Sequence, residues 1–454
     1  MARDEQQDFT QGSVPGVITR MAVPMIAGQL VNVLYNIVDR IYIGHIPGTG
    51  ALALTGVGIA LPVITILSAF AGLFGQGGAP LFSIARGQGD REAAGRILGN
   101  ALTLLLTSSL VLTALSFAFA EPMLRLLGAR DTTVGYGVAY LRIYVLGTPL
   151  VFLTLGMNPY VNAQGYARRG MVTVMLGAGA NILLDPVFMF LLGMGVRGAA
   201  LASVLSQGLS ALWCMTFLCG KRPPISVRRA YMPLRGRIVR RILSMGVTSF
   251  VMLGTNSLIQ AVANAMLGLY GGDLYIGSMT IVNSLRTVFF EITHGFTGAA
   301  QPVLGYNYGA GRYDRVLKAI RFNTLVGAAI AAGFWLSFSL GAALFVRIFT
   351  AEPALIAVAI PAVRIYFCGS VFMTLQSSAQ SVFVGLGKAK QAIFFSLLRK
   401  VIIVVPLMLL LPRWLGANGV FWSEPISDVL GGCAAFITMV LTVYRPMDRR
   451  EERV

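Results

Sequence analysis

The stretch VNVLYNIVDRIYIG (31–44) lies in an apolar run long enough to cross a bilayer, yet it contains the carboxylate of Asp39. A charged side chain at the centre of a membrane helix costs about 2.5–3.5 kcal/mol on insertion scales. Asn32 and Tyr35 precede Asp39 by seven and four residues, so helical periodicity places the three on one face, with Asn36 at its border. This polar face predicts a function beyond anchoring.

The whole chain has the composition of an all-α, polytopic membrane protein. Its 454 residues are 56% hydrophobic and 12% charged, whereas soluble domains carry roughly 25% charged residues. Lipid offers the backbone no hydrogen-bond partners, so each long apolar stretch is expected to be helical. Glycine, proline and charged residues between these stretches predict twelve spans, at 15–44, 52–76, 97–119, 133–160, 170–193, 198–219, 239–268, 276–304, 319–346, 355–384, 390–412 and 418–443.

The loops alternate in basic content. Lys and Arg are concentrated in loops such as 86–96 and 311–321 and in the linker 221–241, whereas 45–53 and 270–275 contain neither. This asymmetry predicts cytoplasmic termini and a cytoplasmic linker. The net charge of +18 therefore fits membrane topology and anionic headgroups, and no nucleic-acid partner is expected.

The sequence also contains an internal repeat. Loop residues recur at an offset of 222: Pro80, Gly87 and Gly89 as Pro302, Gly309 and Gly311, and Gly165 and Ala167 as Gly387 and Ala389. We therefore predict two pseudo-symmetric six-helix bundles, 1–219 and 239–454, joined by a cytoplasmic linker, 220–238. Because six is even, both bundles enter the membrane in the same orientation, as in transporters built from parallel repeats. A duplicated scaffold without transport is the alternative.

Five acids fall inside predicted spans: Asp39, Asp185, Glu291, Glu424 and Asp428. Ionisable residues within a membrane are functional-site hypotheses by default. For Glu424, near the outer end of its helix, the position favours a solvated or structural role. Glu291 is assigned either to cargo contact or to packing, and the role of Asp428 stays open.

Asp185 lies in NILLDPVF, with Asn181 one turn earlier on the same face. Pro186 follows directly and frees a backbone carbonyl one turn back. Such oxygens are hard ligands that suit Na⁺, and the same carboxylates are equally able to carry a proton. Asn158 and Ser203 are candidates to complete the cluster. The alternative is that each acid only ties helices together through hydrogen bonds.

The second half differs at the corresponding places. Asn256, Gln260 and Asn264 are four residues apart and form one polar stripe where the first half carries Asp39, and the eleventh span keeps Pro406 without an acid. The first half is therefore predicted to bind the coupling ion. The candidates for lining the cargo cavity are Asn32, Asn36, Asn256, Gln260, Asn264 and Glu291. Pro24, upstream of Asp39 in the same run, is the predicted hinge.

Enzyme chemistry and resident cofactors are not expected. The chain has no phosphate-binding loop of the form GxxxxGK[ST], and its two histidines are too few for a histidine-based metal site. The four cysteines, at 214, 219, 368 and 433, lack metal-ligand spacing and are interpreted as reduced core residues.

At these residues the chain resembles the multidrug and toxic compound extrusion (MATE) transporters, particularly the bacterial ones. The matching segments, which together with the repeat span nearly the whole chain, are YNIVDRIYIG (35–44), GQGGAPLFSIARGQGD (75–90), NILLDP (181–186), GAALAS (198–203) and AQPVLGYNYGA (300–310). The resemblance implies antiport: Na⁺ or H⁺ enters while an organic, often cationic, compound leaves.

The resemblance also implies site residues. The family carries cation-binding acids on its first and fifth helices, which match Asp39 and Asp185, with Asn181, Tyr35 and Ser203 in matching positions. A metal site of Asp39, Asp185 and Asn181 is implied if the ion is Na⁺. Asn158 matches less well, because the family often has Arg where this chain has Asn162. Some branches use an acid on helix 7, and this chain has only amides there.

Two alternatives remain from sequence. A flippase for lipid-linked saccharides would line its cavity with several cations for pyrophosphate, and Arg286 and Arg399 are the main candidates within the spans. The other is a non-transporting membrane protein or membrane enzyme. A monomer with small organic substrates is the expectation, and the sequence leaves the coupling ion and the cargo undetermined.

Overall fold

The structure, a computed structural model, describes residues 6–48 and 50–451. Every long element in these residues is a helix, and none of them forms a strand. The outer ends of the two predicted cytoplasmic tails, 1–5 and 452–454, lie outside the described residues, as does Thr49 in the first loop without basic residues.

Eight helices form the first half of the sequence. They are α1 (Val14–Gly44), α2 (Gly50–Gly87), α3 (Arg91–Ala118), α4 (Ala120–Leu126), α5 (Asp131–Leu146), α6 (Thr148–Ala163), α7 (Ala167–Pro186) and α8 (Val196–Leu218). A π-helical turn, Val187–Leu191, follows α7. A short 3₁₀ turn, Arg229–Tyr231, lies in the linker.

Ten further helices form the second half. They are α9 (Gly236–Gly309), α10 (Tyr313–Leu340), α11 (Ala342–Phe349), α12 (Pro353–Phe367), α13 (Ser370–Gly385), α14 (Ala389–Leu397), α15 (Val405–Leu410), α16 (Pro412–Leu415), α17 (Asn418–Met439) and α18 (Arg445–Glu451). π-Helical segments lie at Leu398–Val404 and Val440–Tyr444.

These helices account for the twelve predicted spans. Among the described residues, nine helical stretches are long and apolar enough to cross a membrane, and two bent pairs, α5 with α6 and α12 with α13, bring the number to eleven. The long α9 supplies one more, because Gly272 interrupts it with φ 68° and ψ −163°, a conformation that is essentially restricted to glycine. Residues 236–271 and 273–309 are thus separate helices.

The internal repeat is visible in the helix boundaries. Helices begin 222 residues apart at Arg91 and Tyr313, Asp131 and Pro353, Thr148 and Ser370, Ala167 and Ala389, and Val196 and Asn418. The repeated glycines also share a backbone conformation, with φ of 76° at Gly89 and 71° at Gly311, and of 91° at Gly165 and 73° at Gly387. Positive φ explains why both copies keep glycine at these turns.

Contacts divide the described chain into two compact units whose boundaries differ from the predicted ones at two places. Residues 9–22 pack with the second unit, and residues 239–249 pack with the first. Within the second unit, Phe9 packs edge-on against Tyr306. Within the first, Gly246 lies directly on the backbone of Leu73. Long-range contacts of this kind leave no periodic signal in the sequence.

One apolar core of the first unit lies beside its two intramembrane acids. Ile43 of α1, Val57 of α2 and Tyr140 of α5 pack there with Met189 and Val196 around the end of α7. Burial of these side chains fixes the α1 and α7 ends against each other.

The four cysteines are free thiols, but their predicted core position holds only in part. Cys214 is buried and Cys433 half-buried, whereas Cys219 and Cys368 are exposed. A cysteine side chain is apolar enough to lie either in the core or on a lipid-facing helix surface, so hydropathy alone does not predict which of the two positions it takes.

Candidate functional site

The two acids of the first half come together. Asp39 lies on the last third of α1 and is half-buried, and Asp185 lies at the end of α7 and is fully buried. Their carboxyl groups lie close enough to interact directly. Two ionised carboxylates repel, so a shared proton or a bound cation would stabilise this contact.

Asn181 orients the buried acid. Its amide nitrogen donates to Asp185 Oδ1 at 3.2 Å and reaches Ser203 Oγ of α8 at 3.4 Å. One turn of α7 separates Asn181 from Asp185, so the helix itself sets this spacing. Pro186 and the π-helical turn Val187–Leu191 end the regular helix directly after the acid, an irregularity that recurs at functional sites.

Three buried oxygens at this site lack a donor from the described residues. They are Asp39 Oδ1, Asp185 Oδ2 and Asn181 Oδ1. A buried oxygen without a partner carries the full cost of its lost hydration, about 1–3 kcal/mol or more for a charged group. Two carboxylates and an amide oxygen are suited to bind a proton or a hard cation such as Na⁺, which would supply the missing partner.

No larger metal-binding group stands beside this pair. Within residues 6–48 and 50–451, no three His, Cys, Asp or Glu side chains are grouped so as to hold a metal ion. The site offers two carboxylates and amide or hydroxyl oxygens, which are hard oxygen donors.

Tyrosines complete the wall of the site. Tyr35, one turn before Asp39, interacts with both acids, as predicted for its face of α1. Tyr140 and Tyr144 of α5 stack on each other at 5.9 Å between ring centroids and lie close to Asp39. Sequence reasoning missed these two. Their spacing of four in YLRIY is the only signal, and core aromatics show the same spacing.

Asn158 does not belong to this cluster. Its amide nitrogen donates to the carbonyl of Gly170 at 3.3 Å, at the opposite end of α7 from Asp185. With a rise of about 1.5 Å per residue, the fifteen residues between them span about 22 Å. Asn162 lies against Gly170 as well. The prediction failed because the sequence of α6 does not show at which depth its amides meet α7.

The remaining polar residues of α1 lie outside the acid pair. Asn36 is exposed and donates to the carbonyl of Asn32 at 2.6 Å, and Asn32 is half-buried.

Pro24 lies inside α1, and four residues later Gly28 packs against Met171 of α7. The hinge predicted at Pro24 thus lies one turn from a close contact between the two helices that carry the acids.

In the second half, only two of the three amides of the predicted stripe bond to each other. Gln260 donates to Asn264 at 3.3 Å, and Asn264 is exposed. Asn256 instead accepts a 2.6 Å hydrogen bond from the ammonium group of Lys400, a buried cation that the sequence reasoning did not single out. Glu291 is half-buried.

Glu424 is not solvated. It is 6% exposed and Asp428 is 4% exposed. Arg399 donates to Glu424 at 3.3 Å and makes a closer contact with Asp428. The sequence predicted a solvated or structural role for Glu424. Burial against α13 and the π-helical segment Leu398–Val404 excludes the solvated role, and the ion pair with Arg399 fits the structural one.

Comparison with known proteins identifies this plan. A family model described as MatE matches residues 24–187 and 249–410, which are most of the chain and both of its repeats. The chain belongs to the MatE family. Its members are transporters and not enzymes, which confirms the resemblance seen in the sequence.

Curated relatives of this MatE protein include two staphylococcal multidrug export proteins named MepA. The one from Staphylococcus haemolyticus (strain JCSC1435) is 24% identical over 450 residues, covering 98% of this chain and 97% of its own length. The one from Staphylococcus aureus (strain NCTC 8325 / PS 47) is 25% identical over 452 residues, with the same coverage.

Solved structures show the same fold. A multidrug resistance MATE family transporter of the MOP superfamily, in an outward-facing conformation, superposes with a TM-score of 0.91 at 22% identity over 99% of this chain and 100% of that one. A MOP superfamily transporter from Pyrococcus furiosus Vc1 (DSM3638), described as having a binding pocket of reversed polarity, gives a TM-score of 0.89 at 23% identity over 96% and 97%. The predicted all-helical membrane fold is thereby confirmed.

Proposed function

We propose that this MatE transporter exports organic, often cationic, compounds across the cytoplasmic membrane in exchange for entering Na⁺ or H⁺. Family membership and the MepA relatives, named as multidrug export proteins, support the export of drugs. The observation that carries the coupling is the group of three buried oxygens without a donor at Asp39, Asp185 and Asn181. The proposed transporter acts as a monomer, with both termini in the cytoplasm.

The proposed coupling follows from charge. A proton or Na⁺ entering the site neutralises part of the charge on Asp39 and Asp185 and allows their carboxyl groups to approach. When the ion leaves, the two carboxylates repel, and the ends of α1 and α7 that carry them separate. Because Pro24 removes a backbone hydrogen bond further along α1, the helix bends there at low cost. An ion that binds to only one of the two conformations raises the population of that conformation.

The test is efflux of ethidium from an efflux-deficient bacterial host that expresses the chain. Asp39→Asn keeps the size of the side chain but removes its charge and its titration. We expect efflux to fall to the background of cells without the transporter, with unchanged amounts of protein in the membrane. Asp273→Asn, the same substitution at an exposed acid, is the control and is expected to leave efflux unchanged. Efflux at the wild-type rate from Asp39→Asn cells would refute the proposal.

A further inference from the structure

The second unit buries a group of charged side chains that the proposed coupling does not use. This second-half charge cluster consists of Arg286, Arg399, Lys400, Glu424 and Asp428. It contains three cations and two anions. Arg399 and Lys400 lie next to each other in the π-helical segment Leu398–Val404, and the two acids lie one turn apart on α17.

Both acids are engaged by one cation. Arg399 forms ion pairs with Glu424, at 3.3 Å, and with Asp428. Its side chain is 11% exposed and those of the two acids are 7% and 5% exposed, so water contributes little to their solvation. Arg399 is thus the only cation of the cluster that forms an ion pair with either acid among the described residues, and its Nε–H group still lacks an acceptor.

Lys400 donates its hydrogen bonds only to neutral groups. It is 5% exposed, and its ammonium group donates to Asn256 Oδ1 at 2.6 Å and to the carbonyl of Met252 at 3.3 Å. An ammonium group has three N–H donors, so one is left. Arg286 and Arg399 are both near enough to repel it, and Glu424 is near enough to attract it without forming an ion pair among the described residues.

Arg286 repeats this pattern. The half-buried side chain forms no ion pair within the described part of the chain, and its Nε–H group is buried without an acceptor. Glu291, on the same helix, forms no ion pair with either cation among the described residues. The buried cluster thus has a surplus of positive charge and unused N–H donors on each of its three cations.

An uncompensated cation in a membrane interior is unfavourable, and an anion removes that cost. Guanidinium groups bind carboxylates and phosphates through paired N–H donors, and an ammonium group adds a compact charge. At the repeat offset of 222, Lys400 corresponds to Ala178, on the face of α7 that carries Asn181 and Asp185. Near these equivalent positions, the first half carries the acid Asp185 and the second half carries the cations Arg399 and Lys400.

We propose that Lys400 and Arg286 bind the carboxylate or phosphate group of an exported compound, so that this transporter accepts organic anions and zwitterions. The inference rests on the proposed export function for its biological meaning, but the binding site itself needs no ion gradient. It predicts a cargo of different charge from the organic cations that the family resemblance implies.

The test measures equilibrium binding to the purified full-length chain in dodecyl maltoside, by fluorescence polarisation of two dyes that share a xanthene core. Fluorescein carries a carboxylate and rhodamine 6G carries a positive charge. We expect Lys400→Met to weaken fluorescein binding by at least about tenfold, since a charge-assisted hydrogen bond to a buried ion is lost. Rhodamine 6G binding is expected to stay at the wild-type level or to improve.

Three further variants control for folding and charge. Lys390→Met, at an exposed lysine of the same helical stretch, is expected to change neither affinity. Lys400→Arg keeps the charge and is expected to stay within about threefold of wild type for fluorescein. Arg286→Gln, at a half-buried position, is expected to weaken fluorescein binding and provides the measurement if Lys400→Met does not yield a monodisperse protein.

Competition identifies the source of the anionic group. Phenyl phosphate is expected to displace fluorescein, whereas phosphatidylglycerol added to the micelles is not. Displacement by the lipid alone would overturn the assignment to a soluble cargo. Unchanged fluorescein affinity in both Lys400→Met and Arg286→Gln, or equal loss of both dyes, would overturn the site.

The site and the proposed function fail in different ways. If fluorescein binding depends on neither Lys400 nor Arg286 while ethidium efflux still depends on Asp39, the proposed function stands and the anion site does not. Fluorescein binding that depends on Lys400, in a protein without any gradient-driven efflux, would instead uphold the site and overturn the proposed function.

Discussion

Asp185 is positioned by its neighbours along one helix. Pro186 ends the regular hydrogen bonding, Asn181 holds one carboxyl oxygen, and the other faces the site without a donor. Asp39 reaches the same point from α1. Each residue is unfavourable in lipid by itself, and a proton or a cation bound between them would stabilise the pair.

The sequence predicts a functional residue where a polar side chain lies within an apolar run. Asp39 and Asp185 stand out because a carboxylate in an apolar run has few structural uses. Tyr140 and Tyr144 do not stand out, because aromatic residues at helical spacing are common in cores. Lys400 is not distinguished from Arg399 in the sequence, since its lack of an acidic partner appears only after the helices are packed.

Replacement of Arg399 is predicted to lower the stability of the protein. Arg399→Met removes the one cation that forms ion pairs with both Glu424 and Asp428, and removal of one partner of a buried ion pair costs about 3–5 kcal/mol. We expect a clearly lower melting temperature of the purified protein in detergent. Arg125→Met, which breaks the exposed ion pairs of Arg125, is the control and should melt with the wild type. Equal melting temperatures of all three proteins would show that the pairs do not stabilise the second unit.

At the scale of elements, α1 combines a bend-prone position with the acid site. The first part of the helix, up to Ala22, packs with the second unit, and the part from Val23 onward packs with the first. Pro24 follows this division directly. The sequence predicted the hinge from proline alone, but the division was not predictable, because it depends on contacts such as that of Phe9 with Tyr306.

Pro24→Ala tests whether this bend matters. Alanine restores the N–H group that pairs with the carbonyl of Arg20, so α1 becomes stiffer. We expect slower hydrogen–deuterium exchange over residues 20–28 and slower ethidium efflux. Pro353→Ala is a suitable control, since Pro353 occupies the first turn of α12, where a missing N–H group costs nothing. Unchanged exchange and efflux in Pro24→Ala would remove the hinge from the mechanism.

Element boundaries followed sequence signals closely where the backbone needs a particular residue. The break at Gly272 was predicted as a loop between two spans, because two glycines and the charged residue Asp273 lie together there. The π-helical segments were not predicted. A π-helical turn differs from an α-helical one by a single added residue and leaves the hydrophobic pattern nearly unchanged.

At the scale of the whole molecule, the twelve-span plan was predictable because apolar runs of membrane length are the strongest periodic signal in a sequence. The offset of 222 then related the two halves, and helix starts in the structure follow it. The unit boundaries were less predictable, since residues 239–249 join the first unit through the close packing of Gly246 on Leu73.

The predicted topology is testable with single cysteines in a background without native cysteines. Pro47→Cys lies in an exposed loop without basic residues, and Ala230→Cys lies in the exposed, basic linker. We expect a membrane-impermeant maleimide to label Pro47→Cys in intact cells, and to label Ala230→Cys only after the cells are opened. Labelling of Ala230→Cys in intact cells would contradict a cytoplasmic linker.

In the proposed function, the acid pair of the first half couples ion entry to export. The most direct test of this claim is ethidium transport in proteoliposomes under a Na⁺ gradient alone and under a pH gradient alone, for the wild type and for Asp185→Asn. We predict that at least one gradient drives transport by the wild type, and that neither drives transport by Asp185→Asn although this variant still binds ethidium. Gradient-driven transport by Asp185→Asn at the wild-type rate would contradict the claim.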